Sequence, residues 1–240
     1  MNSRDVRSKI KQRGHWIIQI SPLSFNKMLI PSRDKAKKII QESAVQFRGW
    51  DYPHMPANSD DHESMFLGAD YVEAFIDWNY AKEYWRFYQS GLFYNEFGIF
   101  EDWYDEDSLA GDQYKSIKPG ELLNVTGTVY RVAEIFQFFK KLAEHEIFES
   151  GAVASIIING VNGRHLQSLD PGRLPIMFDY SAHVDKIEYK PPELPKDQLI
   201  GDANELALGA VDYIFETFNW ERRSLGTFKN DIDDLLNRRF

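Results

Sequence analysis

Residues Glu83–Phe100 read EYWRFYQSGLFYNEFGIF, the most aromatic stretch of the chain. Ser90-Gly91 divides it into two runs, which predicts an antiparallel hairpin. On the first strand side chains alternate, so Trp85 and Phe87 share one face while Tyr84, Arg86 and Tyr88 share the other. A Tyr–Arg–Tyr face has the composition of a protein-interaction hot spot. It equally suits burial beneath a helix with its hydroxyls hydrogen-bonded, and both roles stay open.

Working outward, Met65–Trp78 alternates loosely as a further strand, interrupted near Gly68, and Glu101–Lys118 is acidic, irregular and expected to be exposed. Downstream, Val129, Val132, Phe136, Phe139 and Ala143 share one face, with Arg131, Glu134, Gln137, Lys141 and Glu144 as the opposite polar stripe. That spacing predicts an amphipathic helix. Val153–Val161 reads as a strand, Asn162-Gly163 as a hairpin turn, and Arg164–Leu169 as the returning partner. His183–Tyr189 is another candidate strand, Gln198–Phe218 a second long helix, and Phe228–Arg238 a short terminal one. Upstream, His15–Ser21 is a strand with Trp16, Ile18 and Ile20 on one face, and Arg33–Phe47 is a helix with Ser32 as its N-cap.

The strands cluster in groups joined by short turns and the long helices come late. This order predicts an α+β fold: an antiparallel or mixed sheet with two long amphipathic helices packed on one face. Residues 1–13 are expected to be a flexible basic leader, followed by a single domain over residues 14–240.

Charge is uneven. The net charge is −9, yet Asp51–Asp112 alone holds fifteen acidic and two basic residues, Lys82 and Arg86. Such an acidic middle repels phosphate backbones, so direct nucleic-acid contact is not expected except through the basic ends together with the aromatic hairpin. The acidic belt itself could dock a basic partner. The chain contains no cysteine, which excludes disulfides, thiolate nucleophiles and cysteine-ligated metal sites. With no secretory h-region and no long apolar run, a cytoplasmic location without a membrane span is expected.

Phosphate-binding and catalytic signatures are missing, and the six histidines are widely spaced. No cofactor and no metal site is therefore implied. An EF-hand counted from Asp105 would need glycine at Ala110 and glutamate at Ser116, so the calcium pattern fails. Glu188-Tyr189-Lys190, with Asp179 and Asp185 upstream, has the acidic-plus-E-x-K pattern of metal-dependent nucleases. Asp185, Glu188 and Lys190 are thus weak catalytic candidates, set against an edge strand ending in exposed charges. The segment Arg48-Gly49-Trp50-Asp51-Tyr52-Pro53-His54 crowds a cation, an indole, a carboxylate and an imidazole into one turn. Arg48, Trp50, Asp51 and His54 could read a ligand or peptide. The preferred alternative has Trp50 and Tyr52 stapling the loop to the core while Arg48 pairs with Asp51.

The segments HWIIQISPLSF, VQFRGWDYPH, EYWRFYQSGLFYNEFG and TVYRVAEIFQFFKKLA, followed by a long helix ending FNW, together resemble a bacterial family loosely associated with Schlafen/AlbA-type DNA-binding proteins. The resemblance spans roughly Gly14 to Trp220 and carries no catalytic residues. It implies an accessory role beside a DNA-acting or defence protein. The expected function is a non-catalytic protein-interaction or sensing module with a protein partner. A metal-dependent nuclease or other hydrolase, and a nucleic-acid-binding protein, are the alternatives.

Overall fold

In the computed structural model, which describes residues 2–60, 62–106, 111–173, 175–220 and 225–239, the aromatic stretch forms the hairpin its sequence predicts. In chain order the elements begin α1 (Ser3–Ile10), β1 (His15–Pro22), α2 (Arg33–Ser43), β2 (Val45–Gln46), β3 (Asp51–Tyr52), β4 (Glu63–Leu67), β5 (Tyr71–Trp78), β6 (Ala81–Tyr88) and β7 (Phe93–Gly98). A 3₁₀ turn (Phe100–Trp103) and α3 (Asp112–Lys115) lead to β8 (Leu122–Asn124) and α4 (Val125–Glu144). Then come β9 (Ala152–Asn159), β10 (His165–Gln167), β11 (Lys186–Tyr189), α5 (Lys196–Gly201), α6 (Ala203–Glu216) and α7 (Leu225–Leu236).

Among the described residues, seven strands form one sheet in the order β11-β9-β1-β7-β6-β5-β4. Every neighbouring pair in it is antiparallel. The protein is α+β, with helices packed against a large antiparallel sheet. Period-two alternation sends Trp16, Ile18, Ile20, Trp85 and Phe87 to one face, where they join the main core with α2, α4 and α6. The Phe93 and Phe138 rings, 4.7 Å apart, couple β7 to α4 directly. Ser32 caps α2 as expected, its hydroxyl accepting from the Lys35 N–H at 3.1 Å. None of the described helices is long and apolar enough to cross a membrane.

Several expectations are corrected. Residues 3–10 are a capped helix, not a frayed leader, and Asn2 supplies a capping box. The helix lies on the sheet face opposite α4, where fully buried Val6 and Ile10 close over Phe75 and Tyr84. Burying two such side chains is worth about 1.5–3 kcal/mol each. Met65–Trp78 is two strands, β4 and β5, joined through a turn in which the Gly68 N–H donates to the Tyr71 carbonyl at 2.9 Å. The helix expected over Gln198–Phe218 breaks at Asp202 (φ −114°, ψ 22°), a residue whose side chain favours non-helical backbone. Glu101, Asp102 and Trp103, expected to be exposed, are buried in the 3₁₀ turn. The Asp105-Glu106-Asp107 segment runs into residues 107–110, which lie outside the described residues.

The Asn162-Gly163 turn exists, with Gly163 at φ +79°, but it closes no hairpin. Both edges of β9 are taken by β1 and β11, so the returning strand β10 pairs in parallel with β8 instead. Arg164, which opens that return, is 1% exposed and holds Asp102 through two bonds, of 2.7 and 2.5 Å. It also donates to the Gly160 and Leu122 carbonyls. Asp102 accepts in turn from the Gly14 and Gly120 amides, each at 2.8 Å. A Cβ on Gly14 would fall 2.1 Å from the Arg164 guanidinium, so only glycine admits this approach.

The acidic middle is not an exposed belt. Glu63, Glu73, Asp77, Glu83, Glu96, Glu101 and Asp102 are all buried. Much of their counter-charge comes from the N-terminal segment: Arg7 forks onto Glu96 (2.7 and 3.1 Å), Lys9 reaches Asp77 (3.2 Å) and Arg13 reaches Asp105 (2.6 Å). The basic leader thus offsets part of the acidic middle within the fold.

Candidate functional site

The polar stripe of α4 positions the site. Gly127, Tyr130, Arg131 and Glu134 follow i, i+3, i+4, i+7 spacing on one helix face. The face does not meet solvent. It forms one wall of a cavity of about 700 Å³, within the range of small-molecule sites. Trp78 and Tyr80 at the β5–β6 turn form a second side, Phe97 and Gly98 of β7 a third, and the 3₁₀ turn contributes Phe100 and Glu101. Trp50 closes the side facing the Arg48–His54 loop. Of its lining residues, Asn79, Tyr80 and Gly111 are exposed.

Arg48 reaches across to α4 and grips Glu134 with two hydrogen bonds, Nε to Oε1 at 2.9 Å and Nη2 to Oε2 at 2.7 Å. The expected Arg48–Asp51 pairing is therefore replaced by a link between loop and helix. Arg131 lies on the same row, 7% exposed, with its guanidinium carbon 5.0–5.2 Å from the Tyr52, Phe97 and Phe100 ring centres. Its polar contact among the described residues is Glu134 Oε2 at 3.3 Å, an oxygen Arg48 already holds. Most of its donor capacity is left for another acceptor. The Thr126 hydroxyl is buried without a hydrogen-bond partner among the described residues.

Behind Trp50, His54 bridges two carboxylates: Nδ1 to Asp51 Oδ1 at 2.6 Å and Nε2 to Glu63 Oε2 at 3.0 Å. Burial pulls the imidazole down, but the bonds to Asp51 and Glu63 outweigh it and raise the pKa to about 8. With both nitrogens engaged as donors His54 is a cation, not a base. It stacks on Trp50 at 4.4 Å, and its carbonyl accepts from the Trp85 indole at 2.7 Å. Fully buried Tyr52 staples the loop to Phe97 and Phe138. Within the loop, Tyr52, Asp51 and His54 make structural contacts, while Arg48 and Trp50 also line the cavity.

Tyr84, Arg86 and Tyr88 lie on the other face of the sheet and take no part in the cavity. Tyr84 is buried under α1 and donates to Glu73 Oε2 at 2.8 Å. Arg86 binds the same carboxylate at 2.6 and 3.0 Å and the Tyr88 hydroxyl at 3.1 Å. Tyr84 is thus buried beneath α1 with its hydroxyl bonded, while Arg86 and Tyr88 are half-buried beside it. Asp185, Glu188 and Lys190 lie at the β11 edge of the sheet, with Asp185 and Lys190 exposed. Glu188 is flanked by Lys186 (2.8 Å) and Lys190 (2.6 Å), which hold its pKa near 2. Among the described residues no group of three or more His, Asp or Glu is disposed to hold a metal ion. The surroundings of Glu188 therefore give the nuclease alternative no support.

Sequence reasoning found Arg48 and Trp50 but missed Arg131, Glu134, Glu101 and Thr126. In the sequence Arg131 and Glu134 read only as part of the polar stripe of the central helix. Glu101 is pushed up to about 7 by burial, a value suited to proton transfer. The described cavity lining holds no histidine, lysine or serine; its polar groups include threonine and tyrosine hydroxyls, asparagine amides, the Arg48 and Arg131 guanidinium groups and the carboxyls of Glu101, Glu134 and Asp170. The arrangement is suited to holding a molecule. No family model matches the chain, and no curated protein or solved structure matches it.

Proposed function

We propose that the protein is a non-catalytic sensing module which holds a small organic molecule between α4 and the sheet, as an accessory component of a larger bacterial assembly. The observation that carries this proposal is the aromatic-walled cavity with Arg131 buried in it and most of its donors unengaged. None of the Arg131 nitrogens is among the fully enclosed unpartnered atoms, so water reaches them in the cavity and a ligand acceptor could take its place. Rigid elements supply the walls, a strand pair, a central helix and a clamped 3₁₀ turn, so the site is formed before a ligand arrives.

Protein-detected NMR with a library of aromatic small molecules tests the proposal. Binders are expected to shift the indole N–H resonances of Trp50 and Trp78, identified through Trp50→Phe and Trp78→Phe variants. A screen whose binders all leave both resonances unmoved would overturn it.

A further inference from the structure

We infer that the cavity selects a planar aromatic or heteroaromatic monoanion, its ring among the Trp50, Trp78 and Tyr80 side chains and its carboxylate or phosphate on Arg131. The inference deepens the sensing proposal and rests on it. Charge is the first ground. Arg48 and Arg131 bring two guanidinium groups to the wall against the single carboxylate of Glu134. Asp170, also on the lining, shares Arg173 with Asp231, and burial raises Glu101 to about 7, so it is only part-ionised at neutral pH. Glu83, buried near Arg131, also titrates at about 7, so anion selection rests on the open Arg131 donors and not on a net positive wall.

Geometry is the second ground. Arg131 has no full hydrogen-bonding partner, because Glu134 is already forked by Arg48, Glu83 acts on it through space, and the rings of Tyr52, Phe97 and Phe100 surround it on the sheet side. A planar guanidinium with open donors accepts a carboxylate or phosphate bidentately. The third ground is the ring surface. Trp50 and Trp78 meet edge to face at 5.7 Å, and Tyr80 packs on Phe100 at 5.4 Å. The wall thus offers faces and edges to an inserted ring. An organic cation would stack equally well on these rings but would face two fixed guanidinium groups, so the aromatic lining alone does not favour it.

Three naphthyl probes of one shape and different charge decide the matter: naphthoate, naphthamide and naphthylmethylammonium, titrated calorimetrically into the whole chain at neutral pH and low salt. Naphthoate is expected to bind about ten- to a hundredfold more tightly than the amide, the range of a charge-assisted pair. The ammonium should be weakest. Arg131→Met should reduce naphthoate to the level of the amide. Arg131→Lys, which keeps the charge but loses the fork, should fall between them. Amide or ammonium binding as tight as naphthoate would overturn the anion inference and leave the ligand cavity standing. Failure of all three, together with a library screen that leaves the Trp50 and Trp78 resonances unmoved, would sink both.

Discussion

Replacing Arg164 with methionine should unfold the molecule far more readily than any surface change, and the structure sets the size of the effect. Arg164 and Asp102 are each 1% exposed and joined at 2.7 and 2.5 Å. Removing one partner of such a pair strands a buried charge, which costs about 3–5 kcal/mol. The Gly160 and Leu122 carbonyls lose their donor as well. In a chain of this size each kcal/mol moves the melting temperature by about 2–4 °C, so the transition should fall by roughly 6–20 °C. Removing both charges, Asp102→Leu with Arg164→Met, often restores stability in a buried pair. Here it should not, because the Gly14 and Gly120 amides would then lose the Asp102 acceptor. Urea unfolding followed by circular dichroism measures both variants. A loss below about 1 kcal/mol for Arg164→Met, or full recovery in the double variant, would refute the assignment of this cluster as the clamp on the 3₁₀ turn.

Other outcomes follow from the same structure. Burial raises Glu83 and Glu101 to about 7, and carboxylate partners raise His54 to about 8. Glu83 meets Arg131, His54 and Asp51, while Glu101 meets Arg164 and Asp102. All three groups bind protons more tightly folded than unfolded, so their contribution is complete at low pH and is lost as pH rises from about 4.5 to about 8. Glu83→Gln should flatten that fall in urea midpoints, and an unchanged slope would refute the burial of a titrating carboxyl there. Ile10→Ala should cost about 2–4 kcal/mol in the same assay, because the residue is fully enclosed between α1 and the sheet. A loss near zero would restore the frayed leader. Glu188→Ala should leave the melting temperature and naphthoate binding unchanged, and a shift in either would show that β11 contributes more than a solvated edge.

Local features were legible wherever neighbours in sequence are also neighbours in space. Ser90-Gly91 turns the β6–β7 hairpin as its flanking runs predicted, and Gly91 adopts φ +82°. The alternation of Trp16, Ile18 and Ile20 and the apolar face of α4 each marked a buried side. The Asn162-Gly163 turn was equally legible, but its pairing was not, because β9 had no free edge to offer. Periodicity reports which residues seek burial and is silent about which surface buries them.

The sequence by itself determined an α+β chain, its principal hairpin, its central helix and an uneven charge distribution. Only the tertiary structure decided what those charges meet. Arg48 and Glu134 stand 86 positions apart, Arg7 and Glu96 89 apart, and Asp102 and Arg164 62 apart. Opposite charges at such separations pair only after the sheet and helices have packed, because burial removes the water that would otherwise solvate each one alone. The same packing converts Arg131 from a residue on a polar stripe into a buried cation facing a cavity.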